Sequence, residues 1–122
     1  MNTKMKEMIE IATLAFPDES ERECKEIAKG LCKSHKVVFK HVMLEIERAV
    51  EQEYNHVQIE VKAIDDLVRE RMSSYTWDWA ILNTREHLIK VMTRFEYVIS
   101  VDSGLLIITW DWRKHHDFSK ES

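Results

Sequence analysis

Two β-prone runs lie on either side of a short turn in FEYVISVDSGLLIITW, residues 95–110. Runs of β-branched and aromatic residues joined by Asp, Ser and Gly predict a β-hairpin. Gly104 is one of only two glycines in the chain, and we expect it to adopt the positive φ that closes the turn. A strongly helical segment comes directly before the hairpin, so the chain is predicted to pass from helix to hairpin without a linker.

The composition is that of an ordinary globular domain. The chain has 122 residues, of which 44% are hydrophobic and 33% charged, and its formal net charge is −4. A chain of this length can bury a core as a single domain, and scarce glycine and proline predict helices with short connections. No segment has the pattern of a secretory signal or a membrane span. We therefore expect a cytoplasmic or nuclear protein that is not secreted.

Three helices are predicted in the N-terminal half. The first is amphipathic and ends before a proline. Asp18 or Ser20 can cap the second helix, which is weakened by Gly30 near its end. The third helix covers residues 35–54, and Ser34 offers it a fresh cap.

The second half of the chain alternates between strand and helix signals. Residues 57–61 alternate strictly between apolar and polar side chains, which predicts a short, half-buried strand. Helical spacing returns over residues 64–72, and a polar turn follows at residues 73–75. The last helix begins near residue 76 or, alternatively, at Asn83 as its N-cap.

From residue 36 onwards the predicted order is helix, short strand, short helix, turn, helix and β-hairpin. This order resembles a winged helix-turn-helix domain over residues 36–112. Residues 3–33 would form an N-terminal helical extension, and residues 113–122 a flexible tail. The predicted fold is therefore a single α+β domain, 1–122, mostly helical, with a winged-helix-like core and two extra N-terminal helices. The competing interpretation is a plain α+β bundle capped by the hairpin.

The winged-helix resemblance implies a function in DNA binding, as a transcription or replication regulator. In such domains the second helix of the turn motif enters the major groove, and the hairpin contacts the backbone or the minor groove. The resemblance implies that groove contacts come from Asn83, Arg85, His87 and Lys90. It implies that phosphate contacts come from Arg94, Ser103, Arg113 and Lys114. Asn and Arg are the residue types that read adenine and guanine in two-point contacts.

Charge gives this hypothesis mixed support and keeps a second function open. Residues 76–94 carry three cations against two carboxylates, but the whole chain is acidic. The alternative is a protein–protein interaction module, an adaptor or inhibitor of the kind that phages and viruses encode. Its motivation is the acidity together with the Trp-Asp-Trp motifs at residues 77–79 and 110–112, because Trp79 and Trp112 could form an exposed interface hot spot. Either function is compatible with a homodimer.

The sequence contains no motif that indicates catalysis or a cofactor. A Gly-rich phosphate loop is absent, and no Ser-His-Asp or Cys-His set can be assembled. The run of residues 115–117, His-His-Asp, lacks a further ligand group for a metal. Cys24 and Cys32 lie about 12 Å apart along one helix, which is too far for a disulfide. We expect a protein that is not an enzyme and that uses no metal or cofactor.

Overall fold

The structure is a computed structural model that describes residues 3–111. Helices make up most of it. Within those residues the chain forms four α-helices, a short 3₁₀ turn and one three-stranded sheet, which confirms the mostly helical α+β class. The helices are α1 (Thr3–Ala15), α2 (Glu21–Glu51), α3 (Val61–Arg69) and α4 (Trp77–Arg94), with the 3₁₀ turn at Ser74–Thr76. The strands are β1 (His56–Glu60), β2 (Val98–Asp102) and β3 (Leu105–Thr109).

Helix α2 is continuous from end to end, so the predicted break between a second and a third helix is wrong. Ser34 lies inside α2, where its hydroxyl donates a hydrogen bond to the carbonyl oxygen of Gly30 at 2.9 Å. Gly30 permits a close approach rather than ending the helix. A Cβ added there would lie 2.7 Å from Met72 Sδ and 2.8 Å from the carbonyl oxygen of Arg71. The glycine is therefore a packing residue.

The continuity of α2 changes the predicted division of the chain. One extra helix, α1, precedes the winged-helix-like order instead of two. The boundary predicted between residues 3–33 and 36–112 falls inside α2. The start of α2 agrees with one of the two predicted caps, because Ser20 Oγ accepts a hydrogen bond from the backbone N–H of Glu23 at 3.1 Å.

The three strands form an antiparallel sheet in the order β1-β3-β2. The predicted hairpin is confirmed, and its turn residues Ser103 and Gly104 have φ values of 52° and 77°. Two successive positive φ values are typical of a type I′ turn, whose twist matches that of the flanking strands. The backbone N–H of Val61 donates to the carbonyl oxygen of Gly104 at 3.0 Å. This bond ties the tip of the hairpin to the start of α3.

One apolar core lies between the helices and the inner face of the sheet. The sheet contributes Ile59 from β1 and Leu106 and Ile108 from β3, all of them buried. The helices meet these side chains with buried residues that include Val38, Val42, Ile46, Val68, Leu88 and Met92. Helix α1 packs against α2 and contributes Met8 and Ala12 to the core. The core therefore fixes α4 between the hairpin on one side and α2 on the other.

Helix α4 begins at Trp77, so the longer of the two interpretations of the last helix is confirmed. Asn83 lies in the second turn and does not cap the helix. From α2 onwards the elements follow the order helix, strand, helix, helix and hairpin. That is the order on which the winged-helix resemblance is based.

Candidate interaction surfaces beside helix α4

Helix α4 presents two chemically different flanks. Leu82, Arg85 and Ile89 lie on the side towards α3 and the hairpin, which we call the hairpin flank. The α2 flank consists of Asn83, His87, Lys90 and Arg94, on the side towards α1 and α2. The residues predicted to read bases are therefore divided between two sides of the helix.

On the hairpin flank, Arg85 forms an ion pair with Asp65 of α3. Its Nε donates to Asp65 Oδ1 at 3.0 Å, and its Nη2 donates to Asp65 Oδ2. The Asp65 side chain is 9% exposed and that of Arg85 is 44% exposed. Asp65 and Asp66 lie in the middle of α3, away from its N-terminus. The guanidinium group of Arg85 neutralises a buried carboxylate.

On the α2 flank, Asn83 and His87 contact His35 of α2. His35 Nε2 lies 3.0 Å from Asn83 Oδ1, and the His35 ring stacks on the His87 ring with centroids 4.1 Å apart and an angle of 10°. Because the Asn83 oxygen can only accept, this bond places the proton of the neutral ring on Nε2. Nδ1 of His35 is buried and has no hydrogen-bond partner within residues 3–111.

The environment favours the neutral form of both imidazoles. Burial, followed by the neighbouring His87, lowers the pKa of His35 to about 4, and the hydrogen bond that His35 donates to Asn83 opposes this change. Burial also lowers the pKa of His87, with smaller contributions from Lys4, Arg94 and Lys90. Positive charge from α1 and α4 thus converges on the stacked histidines.

The stacked histidines form part of a shallow depression between α1, α2 and α4, which we call the basic depression. It is lined by Lys4, His35, Lys36, Phe39, His87, Val91 and Phe95. Lys90 and Arg94 lie close enough to His87 to affect its pKa. Within the described range, none of Lys4, Lys36, Lys90 or Arg94 forms an ion pair, although cations on α2, α3 and α4 do so elsewhere. Lys4, His35 and Lys36 are site residues that the sequence did not identify.

An apolar groove opens on the other side of α4, between α3 and the hairpin. It is lined by Val61, Ile64, Arg85, Leu88, Ile89, Val101 and Leu106. Ile89 is 40% exposed and Val101 60% exposed, and Leu82 on the same flank is 58% exposed. Leu82 and Ile89 lie off the apolar stripe of α4, and that departure from helical spacing is the sequence signal that could have identified this surface.

Strand β2 forms an edge of the sheet beside the apolar groove. Among the described residues it pairs only with β3. In a two-residue hairpin the residues flanking the turn form a hydrogen-bonded pair, so the peptide groups of Ile99 and Val101 point away from β3. The segment Val98–Asp102 contains neither Lys nor Pro, the residues that commonly prevent an edge strand from pairing further. Within residues 3–111, this edge has no further strand paired to it.

The remaining predicted site residues lie away from these two surfaces or outside the described part of the chain. Ser103 is exposed at the hairpin tip, where its Oγ donates to Asp102 Oδ1 at 3.2 Å. Trp79 is half-buried and packs edge-on against Phe16 at a centroid distance of 5.1 Å, so its predicted exposure is only partial. The predictions for Trp112, Arg113, Lys114 and the tail 113–122 concern residues outside the described range.

Comparisons with protein-family models, with curated proteins and with solved structures found no match. Within residues 3–111, no group of three or more His, Cys, Asp or Glu side chains is arranged to hold a metal ion. The helices in that range are all too short or too polar to cross a membrane. A functional assignment therefore has to be argued from the two surfaces beside α4.

Proposed function

We propose that this chain is a winged-helix-like protein–protein interaction module that binds an extended segment of a partner protein along β2. The order of elements and the strand order β1-β3-β2 support the winged-helix interpretation. The observation that carries the proposal is the apolar groove beside an open sheet edge. Exposed apolar side chains next to such a groove are typical of protein interfaces.

The binding mode follows from the backbone of β2. A partner segment added as a further strand would hydrogen-bond to the outward peptide groups of Ile99 and Val101. The side chains of these two residues lie on the inner face of the sheet, opposite Ile108 and Leu106 of β3. Alternate side chains of the partner would therefore point towards α4 and cover Ile89. We expect the partner segment to carry β-branched or aromatic residues at every second position.

The same geometry gives less support to base reading by α4. A recognition helix needs free hydrogen-bonding groups directed at base edges. Asn83 Oδ1 and Arg85 Nε instead form hydrogen bonds within the chain, and the His87 ring is stacked on His35. Among the cations predicted to contact phosphate, Arg94 lies on the α2 flank, and Arg113 and Lys114 lie outside the described range. The hairpin tip itself carries Asp102. Base reading by α4 remains a prediction that titration with duplex DNA can test.

The experiment is a selection from a peptide-display library on the intact protein, followed by measurement of affinity and amide exchange. We expect selected peptides with alternating apolar residues, and slower exchange of the Ile99 and Val101 amides in the complex. Val101→Glu and Ile89→Glu should each weaken binding by about tenfold or more, because each places a charge in the apolar groove.

Val98→Glu is the matched control for the substitution at Val101. Val98 lies on the same strand and is 67% exposed, but its side chain is on the outer face of the sheet. We expect it to retain the selected peptides with little change in affinity. Two results would contradict binding along β2. One is that Val101→Glu selects the same peptides, and the other is that the bound peptide slows amide exchange only at residues outside β2.

A further inference from the structure

The basic depression concentrates positive charge on a protein that is acidic overall. The chain has a formal net charge of −4, yet three helices direct cations to one surface. The cations around the depression are Lys4, Lys36, Lys90 and Arg94. Lys33 and Lys40 are exposed one turn before and after Lys36, on the same side of α2. Such a field attracts a polyanion even when the net charge of the protein does not.

The interior of the depression is apolar and aromatic. Phe39 from α2 and Val91 from α4 line it together with the His87 ring. One face of the His87 ring is covered by His35 at 4.1 Å, and this stacking holds the ring in a fixed orientation. The surface therefore combines apolar and aromatic groups inside with ammonium and guanidinium groups around them.

This combination matches the chemistry of an unpaired nucleotide. Bases stack on aromatic side chains, while neighbouring cations neutralise the phosphates on either side. In a duplex the base faces are hidden by stacking, so an aromatic surface gains nothing from duplex DNA. An acidic peptide could neutralise the cations, but its carboxylate groups do not stack on the aromatic side chains of the depression as a base does.

We propose that the basic depression binds single-stranded nucleic acid, with a base against Phe39, Val91 and His87 and the phosphates on the surrounding cations. The site lies on the flank of α4 opposite the apolar groove. It is therefore independent of the protein-binding function proposed above, and both sites can be occupied at once.

The test is a fluorescence anisotropy titration of the full chain with a labelled oligothymidylate of about 12 nucleotides, within the range of known site sizes. If four phosphates are neutralised, the logarithm of the association constant should fall with the logarithm of salt concentration at a slope of about −3. Lys36→Glu and Arg94→Glu should each lower the affinity by about tenfold and make the slope shallower by about 1. A duplex of the same length should bind at least about fivefold more weakly, because its base faces are not available for stacking.

Lys62→Glu is the matched control, since it makes the same charge change at an exposed position of α3 outside both surfaces. It should leave oligothymidylate binding unchanged, as should Val101→Glu. The substituted lysine and arginine are exposed, and circular dichroism would confirm that each variant is folded. Absence of binding at low salt, an equal loss in Lys62→Glu, or equal affinity for duplex DNA or for polyglutamate would overturn the proposal.

Discussion

The two flanks of α4 differ in whether the neighbouring elements neutralise the charged side chains of the helix. On the hairpin flank, α3 supplies Asp65, which neutralises Arg85 and leaves an apolar surface around the pair. On the α2 flank, the neighbours of Lys90 and Arg94 are two neutral histidines and further lysines, so the charges add up. The chemistry of a helix face is thus decided by what lies across from it, and one helix can support two unrelated surfaces.

Removal of Asp65 should have the largest effect on this contrast. Asp65→Ala leaves Arg85 without its partner beside an apolar groove, and we expect a loss of about 3 kcal/mol in the free energy of unfolding. This value is at the low end for a broken buried pair, because the half-exposed guanidinium group can rehydrate. Urea unfolding monitored by tryptophan fluorescence measures the change.

Asp66→Ala is the natural control for that measurement. Asp66 pairs with Arg69 at 2.7 Å within α3, but its side chain is 49% exposed and that of Arg69 38% exposed. Exposed pairs contribute at most about 1 kcal/mol. If both substitutions cost the same, Arg85 is not held by a buried charge, and the contrast between the flanks loses its basis.

The buried His35 beside the α2 flank should make the free energy of unfolding depend on pH. The folded-state pKa of His35 is about 4, below its ordinary value of 6.5, so between these values the unfolded chain binds a proton that the folded chain does not. The free energy of unfolding should therefore fall as the pH falls from 7 towards 4, and at pH 5 the contribution of His35 is a loss of about 2 kcal/mol. Groups facing this ring are Asn83, His87 and Lys4. Chemical unfolding at a series of pH values measures it.

Substitution of the histidine separates its contribution from those of other groups. His35→Gln removes the titrating ring, and we expect the loss between pH 7 and pH 5 to shrink by that amount. His56→Gln removes an exposed imidazole from β1 and serves as the control. A pH dependence that is identical in wild type and His35→Gln would show that the stacked pair is not buried as described.

Features that depend on local sequence were predictable, and features that depend on distant contacts were not. The hairpin turn, the Ser20 cap and the alternation in β1 are encoded within a few residues each. The continuity of α2 is different, because Gly30 is explained only by its contact with Met72. The pattern of residues within α2 could not show that Met72 occupies the space that a Cβ at residue 30 would fill.

The candidate surfaces follow the same rule. The sequence identified residues of α4 by chemical type, but the partners of Arg85 and Asn83 are 20 and 48 positions away. Whether an arginine is neutralised or available is a property of that pairing, not of the helix that carries it. Leu82 and Ile89 were the accessible clue, because they lie off the buried stripe of α4 and are exposed next to the apolar groove.

The smallest expected effect concerns the hairpin tip that closes one end of the apolar groove. Gly104 has a φ of 77°, and a Cβ added there would have no heavy atom within 4 Å, so Gly104→Ala tests backbone strain alone. We expect a loss of about 1 kcal/mol in the free energy of unfolding. Ser103 also has a positive φ, of 52°, and Ser103→Gly should instead be neutral or stabilising by roughly 0.5 kcal/mol. The midpoint of thermal unfolding should therefore fall in Gly104→Ala but not in Ser103→Gly, and equal destabilisation would mean that the tip is not a type I′ turn.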